Sequence, residues 1–241
     1  MKVIERVMSL RTTDDIISRY MPETLNEHEY IELGQRACSQ IKTLVESDWA
    51  ECWSQLEWDE ADVKVYSRKS AEFEEAKENM LMLVMDLPTS VEHLERLLFP
   101  WFEFRVKWDE MLAMANVIER LSEETFVMRH VVKKRLALSS RDAIDATSVY
   151  RQDDGSVIMG STGTEHGKWG PQEGFVRTKQ YLGGYYFRPI DENNTKFMMI
   201  FCADLNLPIP RFISNMVAKL KPRLMVEKAR NLAKAVNKYP L

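Results

Sequence analysis

Arg105 and Asp109 are the two residues whose types and spacing best suit the binding of a charged ligand. They lie four positions apart, so in a helical turn both side chains project from one face and can form an ion pair. A solvent-exposed pair of this kind contributes little to stability. The same pair at the wall of an apolar chamber would present a guanidinium fork, which binds phosphate or carboxylate groups. The stretch around these residues leaves both interpretations open.

The remaining polar motifs do not predict a catalytic or metal centre. His28 begins an H-E-x-x-E run that ends at Glu32, where a zinc protease needs a second histidine. The segment 160–163 lacks the G-x-S-x-G order of a hydrolase nucleophile. Glu165 and His166 could form an acid–base pair, but such a pair beside a glycine-rich loop is more often structural. We therefore expect a protein that is not an enzyme and that needs no metal or cofactor.

Composition narrows the class of protein. The chain has 241 residues, 45% of them hydrophobic, which is ordinary for a globular protein with a core. A net charge of −4 gives no basic footprint for nucleic acid. Cys38, Cys52 and Cys202 form no C-x-x-C motif, and the N-terminal residues 1–17 do not read as a signal peptide. No apolar run approaches the ~18 residues of a membrane span, so we expect a cytoplasmic protein.

Hydrophobic periodicity predicts one α+β domain, a large antiparallel sheet with a long helix at each end of the chain. Asn26 is typical of an N-cap, and apolar residues at helical spacing follow it to about residue 49. The run 80–85 is apolar throughout, which indicates a strand covered on both faces. From Met114 onward, short strands and turns alternate as in an antiparallel meander. The predicted strands are 63–66, 73–85, 114–119, 125–133, 142–151, 156–162, 175–188 and 195–204.

A last helix is predicted over residues 210–238, with a bend at Pro222. Eight lysines and arginines lie between residues 211 and 238, against one acid, Glu227. A basic amphipathic helix is typical of contact with an anionic membrane surface, although a solvated outer face has the same pattern. We expect most of these cations to be solvated. The residues expected to contact a membrane are Arg211, Phe212, Met216 and Lys219.

Three pieces of the sequence together resemble the START family of lipid-transfer domains. They are Arg105-Val-Lys-Trp-Asp109, then Ser140-Arg-Asp142 opening a strand, then Val176-Arg-Thr-Lys-Gln-Tyr181 before the last strand and helix. The likeness predicts a START domain over residues 25–241, preceded by an N-terminal extension, 1–24. It implies a helix-grip fold, in which a curved antiparallel sheet wraps a hydrophobic tunnel, the C-terminal helix covers it, and one lipid is enclosed.

Within this family the sequence looks most similar to the phosphatidylcholine and ceramide transfer proteins. That similarity implies that Arg105 reaches the lipid head group and that Asp109 pairs with it. Tyr181 matches one aromatic residue of the choline-binding cage. The other implied head-group positions are Phe99, Met128 or Arg129, and Ser161.

The cage positions depart from the family pattern. At the position that falls on Met128 or Arg129, a methionine would be a weak partner for choline, and an arginine would repel it. Strand alternation puts Met128 and Arg129 on opposite faces and leaves open which face is inside. If Arg129 faced inward, it would favour an acidic head group. The buried glutamate–arginine pair of the sterol-carrying branch falls at about His130 and Thr147, which weakens the sterol interpretation.

The sequence therefore predicts a monomeric, peripherally membrane-associated protein that encloses one lipid and transfers it between membranes. A glycerophospholipid is the first choice of ligand. The alternatives are a sterol carrier, a ceramide carrier, a lipid sensor and, with less support, a helix-grip hydrolase. The expected partners are the lipid and, transiently, a membrane surface.

Overall fold

A computed structural model of the chain describes residues 25–57, 62–134, 139–204 and 214–241. The predicted extension, 1–24, lies outside these residues. So do Arg211 and Phe212, two of the four expected membrane contacts.

Five helices occur in the described residues. The long α1 follows Asn26, whose side chain accepts the backbone N–H of Glu29 while the Glu29 carboxylate accepts that of Asn26. This capping box satisfies two N–H groups that a helix leaves unpaired, so the predicted N-cap is confirmed. The helices are α1 (Glu27–Glu46), α2 (Trp49–Cys52), α3 (Val91–Leu98), α4 (Arg105–Trp108) and α5 (Ser214–Lys238).

In the part of the chain that the structure describes, ten strands form one sheet. It is antiparallel along its path in the order β1-β2-β3-β10-β9-β7-β6-β5-β4, and the short β8 pairs parallel with β6. Consecutive strands from β4 to β7 are neighbours, which confirms the predicted meander. The strands are β1 (Ser54–Gln55), β2 (Val63–Arg68), β3 (Met80–Leu87), β4 (Leu112–Arg120), β5 (Thr125–Val132), β6 (Arg141–Arg151), β7 (Val157–Gly163), β8 (Val176–Arg177), β9 (Lys179–Asp191) and β10 (Asn194–Asp204).

The sheet has a core on each face. On β3, Met80 and Met82 belong to the cluster that includes buried residues of α1, whereas Leu81 and Leu83 belong to the cluster that includes those of α5. We call the α1 side the outer face and the α5 side the inner face. We call the apolar core packed between the inner face, α3, α4 and α5 the chamber. This core is apolar. Strand β3 contributes residues to it and to the outer-face core, so it is covered on both faces as predicted.

Some predicted boundaries were wrong. The strand predicted to start at residue 73 starts at Met80, because the backbone turns at Phe73, whose carbonyl accepts the N–H of Ala76. The first helix ends at Glu46 rather than near 49, with Ser47 in extended conformation. The strand predicted over 175–188 is split into β8 and β9, since residues 176–177 pair with β6 instead of continuing β9.

Helix α1 lies very close to the outer face because glycines stand at the contact. A Cβ added at Gly160 of β7 would lie 2.5 Å from the backbone nitrogen of Cys38. A Cβ at Gly34 of α1 would lie 2.4 Å from Oγ of Ser148. The helix and the strands therefore meet almost backbone to backbone.

Helix α5 covers the chamber with an apolar stripe and contains Pro222. Its buried apolar residues are Met225, Val226, Ala229, Leu232, Ala235 and Val236. None of the helices in the described residues combines the length and the apolar character that crossing a membrane requires.

Candidate functional site

Arg105 and Asp109 form a buried ion pair at the wall of the chamber. The turn between them is helical, and Nε of Arg105 donates to Oδ2 of Asp109 at 3.3 Å. A second guanidinium nitrogen, Nη1, donates to the carbonyl of Leu98 at 3.3 Å. Arg105 is 5% exposed and Asp109 is 1% exposed, so the surface-pair interpretation is wrong. An exposed pair with the same spacing, Glu103 with Lys107, lies beside it, with Lys107 on α4 and Glu103 in the turn before the helix.

Two further residues complete this site, and the sequence reasoning missed both. Nζ of Lys228, on α5, lies 3.7 Å from Oδ2 of Asp109. The guanidinium carbon of Arg105 and Nζ of Lys228 each lie 5.4 Å from the ring centroid of Tyr185, on β9. We call Arg105, Asp109, Tyr185 and Lys228 the Arg105 cluster. It joins α4, β9 and α5, which are remote in sequence.

A signal for Lys228 was present in the sequence. It lies three residues after Met225 and four before Leu232, so it shares the apolar stripe of α5 rather than the polar face. A lysine on an apolar stripe either forms an ion pair in the protein interior or extends its ammonium group past neighbouring side chains to solvent. Its side chain is 19% exposed, and its paired state became evident only when α4 was placed against α5.

The charges of the cluster support one another. Burial alone would raise the pKa of Asp109, but Lys228 and Arg105 hold that pKa below its ordinary value. Burial alone would lower the pKa of Arg105, but Tyr185 and Asp109 raise it, so the guanidinium stays charged. Burial also acts to raise the pKa of Tyr185, and the two cations reverse this and lower it. Each of these shifts favours the charged form of its group.

Aromatic rings enclose the cluster. The indole Nε1 of Trp108 donates to the carbonyl of Leu97 at 2.7 Å, which fixes its ring 5.4 Å from the Arg105 guanidinium carbon. Phe99 is buried in the inner-face core, and its ring lies 6.4 Å from that of Phe187, which stacks on Tyr185. The structure therefore brings Phe99 into the chamber with Arg105 and Asp109.

Met128 and Ser161 also lie on the chamber side. Met128 belongs to the inner-face core. Ser161 lies on the same face of β7 as Met159, another member of that core, and its hydroxyl is 2.9 Å from that of Thr147 on β6. A second polar group occupies this face nearby, where Asp145 contacts Nδ1 of His130 at 3.0 Å and accepts from Nε2 of Gln180 at 3.1 Å.

The structure does not bring Arg129 into the chamber. It lies on the outer face of β5, where it donates to Asp142 at 3.2 Å and to Gln172 at 2.9 Å. Asp142 also accepts two hydrogen bonds from Arg177. The alternation of β5 thus puts Met128 inside and Arg129 outside. The arginine holds the loop after β7 to the sheet.

Tyr181 is also on the outer face. Its ring packs against Phe73, and its hydroxyl donates to Asp204 at 2.8 Å. Burial and the neighbouring Asp204 raise its pKa to about 12. The register between β9 and β10 shifts beside Tyr181, and this β-bulge takes the side chain out of the alternation that Tyr185 follows. The tyrosine that lies beside Arg105 is Tyr185, four residues further along.

The remaining polar candidates have structural partners. His166 does not pair with Glu165; its Nε2 lies 2.8 Å from a carboxylate oxygen of Glu119. Glu165 instead pairs with Arg177 at 3.4 Å. Of the expected membrane contacts, Lys219 is exposed at the start of α5, while the side chain of Met216 lies outside the description.

Comparison with known proteins identifies the type of domain. A family model described as START domain matches residues 43–240. StAR-related lipid transfer protein 5 of mouse (Mus musculus) is 30% identical over 139 residues, covering 56% of this chain and 64% of that protein. Its human counterpart (Homo sapiens) is 31% identical over the same length and coverage. The match thus spans less than two thirds of the length of these curated relatives.

Solved structures of StAR-related proteins superpose on this chain. Human StAR-related lipid transfer protein 5 gives a TM-score of 0.79 at 24% identity, covering 89% of this chain and 99% of that one. Human STARD10 gives a TM-score of 0.70 at 19% identity, covering 93% and 85%. These superpositions confirm the predicted helix-grip fold.

Proposed function

Because this chain belongs to the START domain family, we propose that it encloses one lipid in the chamber and transfers it between membranes, with a glycerophospholipid as the preferred ligand. The observation that carries the proposal is the Arg105 cluster, a charged group buried at the wall of an apolar chamber. The relatives are named as lipid transfer proteins, which supports a carrier rather than a hydrolase.

The chamber suits lipid tails on energetic grounds. Each CH₂ removed from an apolar medium into water costs about 0.8 kcal/mol, so a sixteen-carbon chain that left a bilayer for water would lose roughly 12 kcal/mol. A carrier must offer an equally dry environment. The inner face provides one, since Leu83 of β3, Phe187 of β9 and Phe197 of β10 are all buried in its core.

The Arg105 cluster suits the head group. A phosphate taken out of water without a partner is very costly, so it must meet a buried cation. Arg105 supplies a planar fork of donors, and in the empty protein Asp109 keeps that fork paired. The two residues thereby avoid a lone buried charge both before and after the lipid enters.

Membrane contact is the second part of the proposal, through Arg211 and Phe212, which precede α5 in the sequence, and through Met216 and Lys219 in its first turns. Lys219 is exposed there. Two other cations of the helix, Lys221 and Lys228, point inward to ion pairs and so are not free to meet anionic lipids. A membrane-bound α5 could move away from the sheet and open the chamber, as lids do in other enclosed sites.

The proposal is tested with Arg105→Ala. We expect this variant to lose pickup of fluorescent phospholipid from vesicles by at least about tenfold, since a hydrogen bond to a charged group is worth roughly 1.5–3 kcal/mol. Lys107→Ala is the matched control, because it removes a cation with the same i,i+4 pairing from the same helix at an exposed position. Pickup by the control should equal that of the native protein.

Folding must be separated from binding in this test. Removal of Arg105 leaves Asp109 beside Lys228, so we expect the fold to survive, as judged by thermal unfolding. The variant Arg105→Met keeps most of the side-chain volume and also leaves Asp109 paired with Lys228, so it should fold as well. Pickup at the native level by either folded variant would refute the head-group role of Arg105.

A further inference from the structure

The Arg105 cluster contains more positive than negative charge. Arg105 and Lys228 are both cationic, and the ion pairs found for them in the described residues both end on the single carboxylate of Asp109. Tyr185, the fourth member, adds a phenol between the two cations. Arg105, Lys228 and Asp109 together carry one more positive charge than negative, and the two cations favour negative charge beside them, as the lowered pKa of Tyr185 shows.

The next acid on the inner face does not balance this excess. On β6, Asp145 lies opposite Gly163 of β7, whereas Met159, the β7 residue paired with Tyr185, lies opposite Val149. Asp145 and Val149 are four residues apart along β6. Asp145 is therefore displaced by roughly 13 Å along the strand direction from the part of the sheet that contains Tyr185. Asp145 is also committed to His130 and Gln180.

The position of Lys228 bears on the head group as well. A quaternary ammonium such as choline binds over the faces of aromatic rings. In this chamber the ring of Tyr185 already has two cations at 5.4 Å from its centroid. A choline group would meet like charges there, whereas an anion between Arg105 and Lys228 would meet two donors of opposite charge.

We infer that the chamber selects lipids whose head group carries net negative charge, a phosphate monoester or a carboxylate, and that Lys228 is the residue that determines this specificity. The inference rests on the proposed function and deepens it, since it names the class of lipid. Because Lys228 belongs to α5, an anionic head group would also join the covering helix to α4. The bound lipid would then hold the chamber closed.

The test compares lipids with matched acyl chains. Phosphatidylcholine vesicles carry a trace of fluorescent phosphatidic acid, fluorescent phosphatidylcholine or fluorescent fatty acid, so that the vesicle surface is the same in each arm. We expect the native protein to take up phosphatidic acid at least about tenfold better than phosphatidylcholine. Lys228→Gln should bring this ratio close to one, while Lys228→Arg, which keeps the charge, should preserve it. Lys234→Gln removes an exposed lysine of the same helix and should leave the ratio unchanged.

The outcomes separate this inference from the proposed function. Equal uptake of phosphatidic acid and phosphatidylcholine by the native protein would overturn the inference and leave lipid carriage intact. An unchanged ratio in folded Lys228→Gln would overturn the role of Lys228. No uptake of any lipid by the folded native protein would overturn both proposals. Preferred uptake of the fatty acid would support an anionic ligand and assign it to a carboxylate.

Discussion

Helices α1 and α5 pack on opposite faces of one sheet in different ways. Helix α1 lies almost backbone to backbone on the outer face, where a Cβ at Gly160 would collide with Cys38 at 2.5 Å. Helix α5 reaches the inner face through long side chains, among them the buried Lys221 and the half-buried Lys228. The contact of α1 with the outer face is too close for the helix to shift along the sheet. The contact of α5 with the inner face includes, beside the apolar stripe of α5, charged groups that can exchange one partner for another.

This difference indicates which side of the sheet can open. Separating α1 would expose an apolar contact that nothing else could cover. Separating α5 would expose its apolar stripe as well, but it would also break ion pairs whose charges water or a lipid head group can solvate, so part of the lost interaction is replaced. Three tests, in order of decreasing effect, examine the contrast.

The largest effect is expected for Gly160→Ala on the outer face. The new Cβ would meet backbone atoms of Ala37 and Cys38 that cannot rotate away, so α1 must shift, and we expect a loss of about 3 kcal/mol in the free energy of unfolding. Urea denaturation measures it. Gly183→Ala on the inner side is the matched control, since its Cβ would meet only side-chain atoms of Gln180 at 2.8–2.9 Å. Rotation of Gln180 should limit its cost to about 1 kcal/mol. Equal losses in the two variants would contradict the contrast.

The second test uses alkaline pH. Burial raises the pKa of Cys38, on the outer side, from 9.0 to about 12. The folded protein therefore holds this proton after the unfolded chain has lost it, and the stability from this group falls by about 1.4 kcal/mol per pH unit between about pH 9 and 12. Cys38→Ala should flatten the fall in urea-denaturation midpoint over this range. Cys52→Ala, which removes an exposed thiol, is the control.

Tyr185 on the inner face should act in the opposite direction. Its folded pKa lies below the ordinary 10.0, so it contributes stability that grows as pH rises towards the unfolded value and is fully present above it. Tyr185→Phe should therefore steepen the alkaline fall that Cys38→Ala flattens. A common sign for the two variants would refute the charge environment described for the Arg105 cluster.

The smallest effect is expected for Lys221→Met, and it should be local. Nζ of Lys221 donates to the Ala203 carbonyl at 2.8 Å and pairs with Glu78 at 3.0 Å, near the start of α5. Its loss should destabilise α5 by about 1–2 kcal/mol and speed amide hydrogen exchange in that helix, with α1 unaffected. Lys219→Met, at an exposed position of the same helix, is the control. Faster exchange in α1 as well would mean that the two helices open together.

Local patterns predicted the elements well. Asn26 predicted the start of α1, because an N-cap is specified by residues adjacent in the sequence. The apolar run of β3 specified two covered faces, and the spacing of Arg105 and Asp109 specified a pair on one helical turn. What these patterns left open was burial, because an i,i+4 ion pair has the same sequence on the surface as in a core.

The rest of the site depends on contacts between residues that are far apart in the sequence. Lys228 and Tyr185 meet Arg105 only because α5 and β9 are positioned by the whole sheet. The β-bulge beside Tyr181 has no sequence signature, so alternation alone placed that residue on the same face as Tyr185. A single irregular residue thus leaves Tyr185, and not Tyr181, beside Arg105.

Trp108 is an intrinsic fluorophore beside the Arg105 cluster. Its indole is held by a hydrogen bond to Leu97, with the Arg105 guanidinium carbon 5.4 Å from the ring. A charge this close to an indole changes the energy of its excited state. The emission wavelength of Trp108 therefore depends on the position of the guanidinium and on the anion that neutralises it. A ligand that engages Arg105 would be registered by the fluorescence of this tryptophan, without a label on the lipid.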